Sequence, residues 1–212
     1  MIVIDCEQGS PEWFAARLGN VTASRVYEIV AKTKTGYSAM RSNYAAELVA
    51  ERLTGTRQEK YTSDAMKWGS ENEAGARTAY EFLTGATVNP VGLVMHPSIA
   101  RAAASPDGLI GEEGLIEIKC PNTATHIETL LGAAVDGKYI KQMQWQMACT
   151  GRQWCDFASF DPRLPGEMQM HITRVNRDPA LIAELEQEVS IFLAEIAATE
   201  AELRRRYMAE AA

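Results

Sequence analysis

At Gly85 the sequence changes its period, and that change restricts the chain to folds that pack helices against a sheet. Before Gly85, apolar residues recur at helical spacing between clear stops. Ser10-Pro11-Glu12 is a capped start with proline at the first helical position, and Gly19 closes a short helix carrying Trp13, Phe14 and Leu18. A second helix begins near Thr22-Ala23-Ser24. Ser38 caps a third, with Tyr44, Ala45, Leu48, Val49 and Leu53 on one face and Gly55 at its end; a longer helix runs over residues 63–83 and stops at Gly85. After Gly85, strands are expected over residues 86–95, 99–104 and 114–120, separated by His-Pro, Ser-Pro-Asp-Gly and Gly-Glu-Glu-Gly turns. Helices follow over 123–134 and 138–150, then strands over 153–160 and 169–175. Asp178-Pro179 starts a last helix, in which Ile182, Leu185, Val189, Phe192, Ile196 and Leu203 keep three-to-four spacing, interrupted at Thr199. That stripe predicts docking on the protein's own core, with a subunit contact as the alternative. The sequence therefore predicts one mixed α/β domain over residues 1–212. It comprises a helical part over about 10–85, a core over about 86–175 with a small central mixed sheet flanked by helices, and a long C-terminal helix over about 178–208.

Composition excludes the alternatives to a packed globule. Hydrophobic residues make up 46% and charged residues 23% of 212, which argues against disorder, collagen-like repeats and a coiled coil alone. No apolar run reaches the roughly 18–20 residues of a membrane span, so the chain is expected to be soluble and cytoplasmic. Cys6, Cys120, Cys149 and Cys155 contain no Cys-x-x-Cys pair and read as reduced thiols. Cys120 falls inside a predicted buried strand, leaving only three candidate ligands for an iron–sulfur cluster. His96, His126 and His171 are isolated from one another, which argues against zinc.

The chemistry concentrates in Ser105-Pro106-Asp107-Gly108 and in Gly114-Leu115-Ile116-Glu117-Ile118-Lys119-Cys120-Pro121. Side chains alternate along a strand, so Glu117 and Lys119 share one face while Ile116, Ile118 and Cys120 point into the core. A turn over residues 111–114 lets the strand after Asp107 return beside Glu117, bringing two carboxylates together. Carboxylates a few Å apart raise one another's pKa unless a cation lies between them. Magnesium suits that place, because it takes one or two carboxylates with waters and phosphate oxygens; Asp107, Glu117 and the Ile118 carbonyl are the candidate ligands. With Lys119 beside them to orient a water or meet developing charge, the implied reaction is phosphodiester hydrolysis. The same residues also fit an exposed ion pair next to a plain turn.

At these positions the sequence resembles the lambda exonuclease family, also described as YqaJ-like viral recombinases, within the restriction-endonuclease-like nucleases. The resemblance rests on Pro106-Asp107, nine residues, then Glu117-Ile118-Lys119, and on matching blocks around it. Those blocks are Arg17-Leu18-Gly19 with Val21-Thr22-Ala23-Ser24, Trp68-Gly69 with Glu71-Asn72-Glu73, Ser105 to Leu109, Leu115 to Pro121, and Gln142-Met143-Gln144. The resemblance implies a restriction-endonuclease-like core. It also implies 5′→3′ digestion of one strand of linear double-stranded DNA from a 5′-phosphorylated end, giving mononucleotides and a 3′ single strand for recombination by strand annealing. Asp107, Glu117 and the Ile118 carbonyl would be metal ligands, Lys119 the catalytic lysine, and Glu73 and Gln144 supporting residues. Two magnesium ions per site, replaceable by manganese, are expected. The partners implied are DNA ends, two further copies in a homotrimeric ring and a single-strand annealing protein, in a bacterial host and of phage or prophage origin.

Arg17 offers a bidentate fork, Ser24 lies near a helix start and Ser105 adds a hydroxyl beside Asp107; by resemblance these three form the 5′-phosphate pocket. Gln142 and Gln146 lie one helical turn apart and Gln144 faces nearly the opposite way, so one helix cannot aim all three at a single metal site; family position favours Gln144. Trp68 could stack on a base, but a tryptophan on a helix near Met66 reads more readily as core. The net charge of −7 is uneven. Residues 178–212 hold eight acids against three arginines, and residues 17–60 hold eight bases against four acids, which makes the latter stretch the expected contact with DNA phosphates. Within it, Lys32, Lys34, Tyr37 and Arg41 surround Gly36 in a loop suited to track the DNA backbone. Two rival readings share these residues: a structure-specific endonuclease or resolvase on the same core, and a non-catalytic DNA- or protein-binding module.

Overall fold

The computed structural model of the protein describes residues 1–57 and 63–208; Glu59 and Lys60 of the basic stretch and Glu210 of the acidic tail lie outside the described residues. In chain order the elements are β1 (Ile2–Ile4), α1 (Pro11–Arg17), β2 (Val21–Thr22), a 3-10 turn (Ala23–Arg25), α2 (Val26–Val30), β3 (Lys32–Thr33), β4 (Gly36–Tyr37), α3 (Ala39–Thr54), α4 (Asp64–Thr84), β5 (Val88–Asn89), β6 (Leu93–Met95), β7 (Ala102–Ala104), β8 (Gly108–Ile110), β9 (Gly114–Lys119), α5 (Thr123–Leu130), α6 (Gly137–Thr150), β10 (Trp154–Phe160), a second 3-10 turn (Gly166–Met168), β11 (Met170–Asn176) and α7 (Pro179–Tyr207).

The helix ends follow the local chemistry. Ser10, Ser38 and Ser63 each accept a backbone N–H at the starts of α1, α3 and α4, and Gly55 and Gly85 close α3 and α4 in the left-handed conformation. The mixed α/β class holds, but the strands form two main sheets rather than one. One runs β1-β6-β7-β2, the other β11-β10-β9-β8-β5, and β3 and β4 make a separate hairpin. The strand expected over 86–95 is divided between these sheets. Pro90 cannot donate to a ladder, and a side chain at Gly92 would overlap the backbone of Ile4 and Cys6, so the chain crosses over there. The strand expected from residue 99 starts only at Ala102, after Arg101 turns the chain at φ 64°. The helix expected near Thr22 opens as a strand and a 3-10 turn instead.

Helix α6 lies between the two sheets, and residues 143–149 are all buried. Trp145 and Cys149 join a core with α2, α3, α7 and the first sheet, through Val26, Ile29, Tyr44, Leu48, Val94 and Ala102. On its other side Met143, Met147 and Ala148 meet Leu115, Cys155 and Phe157 of the second sheet. The opposite face of that sheet, carrying Ile116, Ile118, Ala158 and Phe160, is covered by Ala76 and Tyr80 of α4. The stripe on α7 docks on the protein's own core: Leu185, Val189, Phe192 and Ile196 are essentially unexposed. Among the described residues no helix is long and apolar enough to cross a membrane.

Candidate active site

Strands β8 and β9 form an antiparallel hairpin in which Gly108 pairs with Ile116, which sets Asp107 opposite Glu117 as the spacing predicts. The turn is tied down by Arg152, whose Nη1 donates to the carbonyls of Ile110 (3.1 Å), Gly111 (2.9 Å) and Gly114 (2.7 Å). Asp107 Oδ2 accepts from the Ile118 N–H at 2.6 Å, so its carboxyl lies against β9. Glu117 and Lys119 do share a face, and Lys119 Nζ bonds Glu117 Oε1.

That face is not open, however. Helix α6 lies over it and leaves Glu117 with no exposed surface. Gln142 Nε2 donates to Glu117 Oε1 and Gln146 Nε2 to Oε2, each at 2.6 Å. Gln144 goes the other way: its amide donates to the Asn176 carbonyl (2.8 Å) and accepts from the Asp178 N–H (2.8 Å), joining β11 to α7. The helical spacing of the three glutamines therefore picks out Gln142 and Gln146. The assignment of Gln144 to the site is corrected by the side of α6 on which it lies.

A cleft of about 970 Å³ opens over this centre, lined by Ser24 and Tyr27, by Trp68 and Glu73 of α4, by Asp107, Ile118, Lys119 and Cys120, and by Lys138, Tyr139 and Gln142 of α6. Glu73 thus lines the same cleft as Asp107, with Arg77 bonded to its Oε1 at 3.0 Å. Trp68, read as core from the sequence, is half-buried on the cleft wall. Cys120 is likewise on the wall, just past β9, instead of inside a strand. Its thiol is pushed up to about 11, by burial first and then by Glu73 and Asp107, which keeps it protonated and unreactive.

Burial and then Glu117 push the Asp107 carboxyl well above the usual carboxylate range. For Lys119, burial works against the charged form, but Glu117 and Asp107 overcome it and raise its pKa. Two acids in conflict and one held cation describe a site that lacks positive charge, and every candidate ligand atom on the chain is oxygen. Among the described residues no three His, Cys, Asp or Glu side chains come together as a metal cluster. A hard divalent ion taking two carboxylates, a backbone carbonyl and non-protein oxygens fits this donor set.

The three residues expected to hold a terminal phosphate are only partly brought together. The Arg17 guanidinium lies 4.0 Å from the centre of the Trp13 ring, and Trp13 Nε1 donates to Ser105 Oγ at 2.9 Å, so Trp13 links two of them. Arg17 also reaches Thr22 Oγ1 at 3.4 Å and lines a hollow of about 130 Å³ with Arg57, whereas Ser24 lines the main cleft. Burial lowers the Arg17 pKa to about 10, with Arg57 adding to that effect, and the group remains a cation at neutral pH. Trp13 escaped the sequence reading. Its signal was its position four residues before Arg17 on one helix face.

Three cations of the basic stretch are paired within the fold. Arg25 bonds Glu28 (2.8 Å) and Glu47 (2.6 Å), and Arg41 is buried and bonds Glu195 of α7 at 3.0 Å. Tyr37 donates to Glu188 at 2.7 Å, and Lys32 lies 3.7 Å from the same carboxylate. The loop around Gly36, expected to follow DNA, is an exposed hairpin fastened to α7.

The YqaJ-like viral recombinase domain family matches residues 12–153. The alkaline exonuclease LHK-Exo from Laribacter hongkongensis, whose structure is also known in complex with dAMP, is 57% identical, with 93% of this chain and 97% of that one covered and a TM-score of 0.87. A phage related exonuclease from Haemophilus somnus 129PT shares 16% identity over 87% of this chain and 96% of its own, with a TM-score of 0.68, a likeness of fold. No curated protein matches the chain.

Proposed function

The chain belongs to the YqaJ-like viral recombinase family and has the restriction-endonuclease-like fold, and on that premise we propose that it is a magnesium-dependent 5′→3′ exonuclease of linear double-stranded DNA. The observation that carries this reading is the β8–β9 hairpin, which sets Asp107 opposite Glu117 with Lys119 bonded to Glu117, beside a cleft of about 970 Å³ that Asp107 and Lys119 line. That LHK-Exo was solved with a nucleoside monophosphate accords with digestion to mononucleotides.

In this reading Asp107, Glu117 and the Ile118 carbonyl hold the ions, two per site, with manganese able to replace magnesium. When bound, such ions polarise the phosphodiester and acidify a water. The remaining work falls to the chain. Gln142 and Gln146 fix the Glu117 carboxylate so that it does not swing away. Lys119 presents its ammonium where charge builds up on the phosphate. Glu73 adds a third carboxylate on the α4 wall. Arg17, stacked on Trp13 and linked through it to Ser105, offers a fork to a 5′-terminal phosphate, with Ser24 donating from the cleft side. Assembly into a homotrimeric ring, cooperation with a single-strand annealing protein and action in the bacterial cytoplasm complete the proposal; the family's description as viral recombinases supports a recombination role.

The test is a linear duplex phosphorylated at the 5′ end of one strand only, incubated with and without magnesium beside closed circular duplex. Magnesium-dependent loss of the phosphorylated strand, with the other strand and the circle intact, is expected. Nicking of the circle would instead establish an endonuclease.

A further inference from the structure

One part of the cleft wall has no role in the scheme above. Asp161, just past the end of β10, has no exposed side-chain surface. Its carboxylate accepts from the Thr123 hydroxyl at 2.7 Å, from the Arg163 backbone N–H at 3.0 Å, and from Arg163 Nε at 2.7 Å and Nη2 at 2.9 Å. Arg163 Nη2 also reaches the Pro121 carbonyl at 3.3 Å. One face of the guanidinium lies over Trp68, 4.2 Å from the ring centre. The group is thus fixed on one edge and one face, yet its side chain is 44% exposed and lines the cleft that holds Asp107 and Lys119. Among the described residues Arg163 Nη1 makes no hydrogen bond, and the Trp68 indole N–H has no partner either.

An arginine needed only to neutralise Asp161 would satisfy it with Nε and Nη2 wherever the guanidinium faced. Here the fork's remaining donor is left free in a cleft that Lys119 and Lys138 also line. A flexible arginine loses side-chain freedom when it grips a phosphate; one already ordered by a carboxylate and a ring loses little, so its bond is worth more. Building on the nuclease reading, we propose that Arg163, braced by Asp161 and Trp68, binds a backbone phosphate of the DNA strand lying in the cleft.

Binding separates this inference from catalysis. Anisotropy of a labelled 5′-phosphorylated duplex, with calcium in place of magnesium, is followed over a salt series. Arg163→Ala is expected to weaken binding about tenfold and to reduce the slope of log affinity against log salt by about one. Because that variant strands a buried carboxylate, the pair Asp161→Asn/Arg163→Gln, which leaves no unpaired charge, is measured beside it with its melting profile. The same loss of slope is expected. Unchanged affinity and slope in the double variant overturn the proposal, as does weakened binding of dAMP alone with duplex binding intact, which would make Arg163 a product contact. A wild type that binds duplex but never digests it fails the nuclease reading and leaves this one to the salt series; a wild type that binds no duplex overturns this one.

Discussion

Glu117 is buried and charged, and its oxygens are met by Gln142, Gln146 and Lys119. Losing a partner of a buried charged group costs more than losing a neutral hydrogen bond, so Gln146→Leu is expected to lower single-turnover digestion at least about tenfold. Gln144→Ala is expected to leave the turnover of folded enzyme intact while lowering unfolding free energy by about 1–3 kcal/mol, through its lost bonds to Asn176 and Asp178. The reverse ranking would return Gln144 to the site. Arg17→Ala is expected to abolish the preference for phosphorylated over hydroxyl 5′ ends; an unchanged rate ratio would remove Arg17 from that pocket. Asp161 gives a stability prediction. Arg163 first, then Thr123, hold its carboxyl at about 2, against an ordinary 3.8. A depressed acid stabilises the fold above its unfolded pKa and loses that contribution as pH falls through its folded pKa. Unfolding midpoints should therefore drop between about pH 4 and 2, and the Asp161→Asn chain should show a shallower drop. At this scale the sequence revealed Asp107, Glu117 and Lys119, because a two-residue period and a short turn determine their meeting. It could not reveal the place of Arg163 in the cleft: its pairing with Asp161 is local, two residues away, but Thr123 and Trp68 reach this pair only through the packing of α4 and α5 beside β10.

Elements with local causes were legible. α3, α4 and α7 begin at Ser38, Ser63 and Asp178, whose caps are local chemistry, and α3 and α4 end at Gly55 and Gly85. Short strands were not, because pairing across the chain defines them: β1 pairs with β6, some ninety residues away, and β2 with β7. The α7 stripe was legible as apolar, and its target is now known. Phe192 packs against Tyr44 of α3, with ring centres 5.6 Å apart. Phe192→Ala is expected to cost about 3–5 kcal/mol in denaturant unfolding. A cost under about 1 kcal/mol would mean that α7 is not part of the folding core.

Across the whole molecule, α6 does two jobs from one buried position. It joins two sheets through Trp145 and Met147, and it turns Gln142 and Gln146 onto Glu117. Core packing and the setting of Glu117 thus depend on the same helix, which explains a glutamine-rich segment with no exposed residue between 143 and 149. Charge, too, reads differently at this scale. Glu188 and Glu195 of the acidic tail lie against Lys32 and Arg41, so part of the excess of bases in residues 17–60 is offset within the fold. The cations that face the cleft are Lys119, Lys138 and Arg163. If the Asp107–Glu117–Lys119 hairpin is a catalytic centre for DNA hydrolysis, its lysine is indispensable. The deciding measurement compares digestion of linear 5′-phosphorylated duplex with magnesium by wild type and Lys119→Ala, each shown to be folded and to bind the duplex. Digestion by the wild type and none detectable by the variant is expected. Equal digestion by both would contradict it.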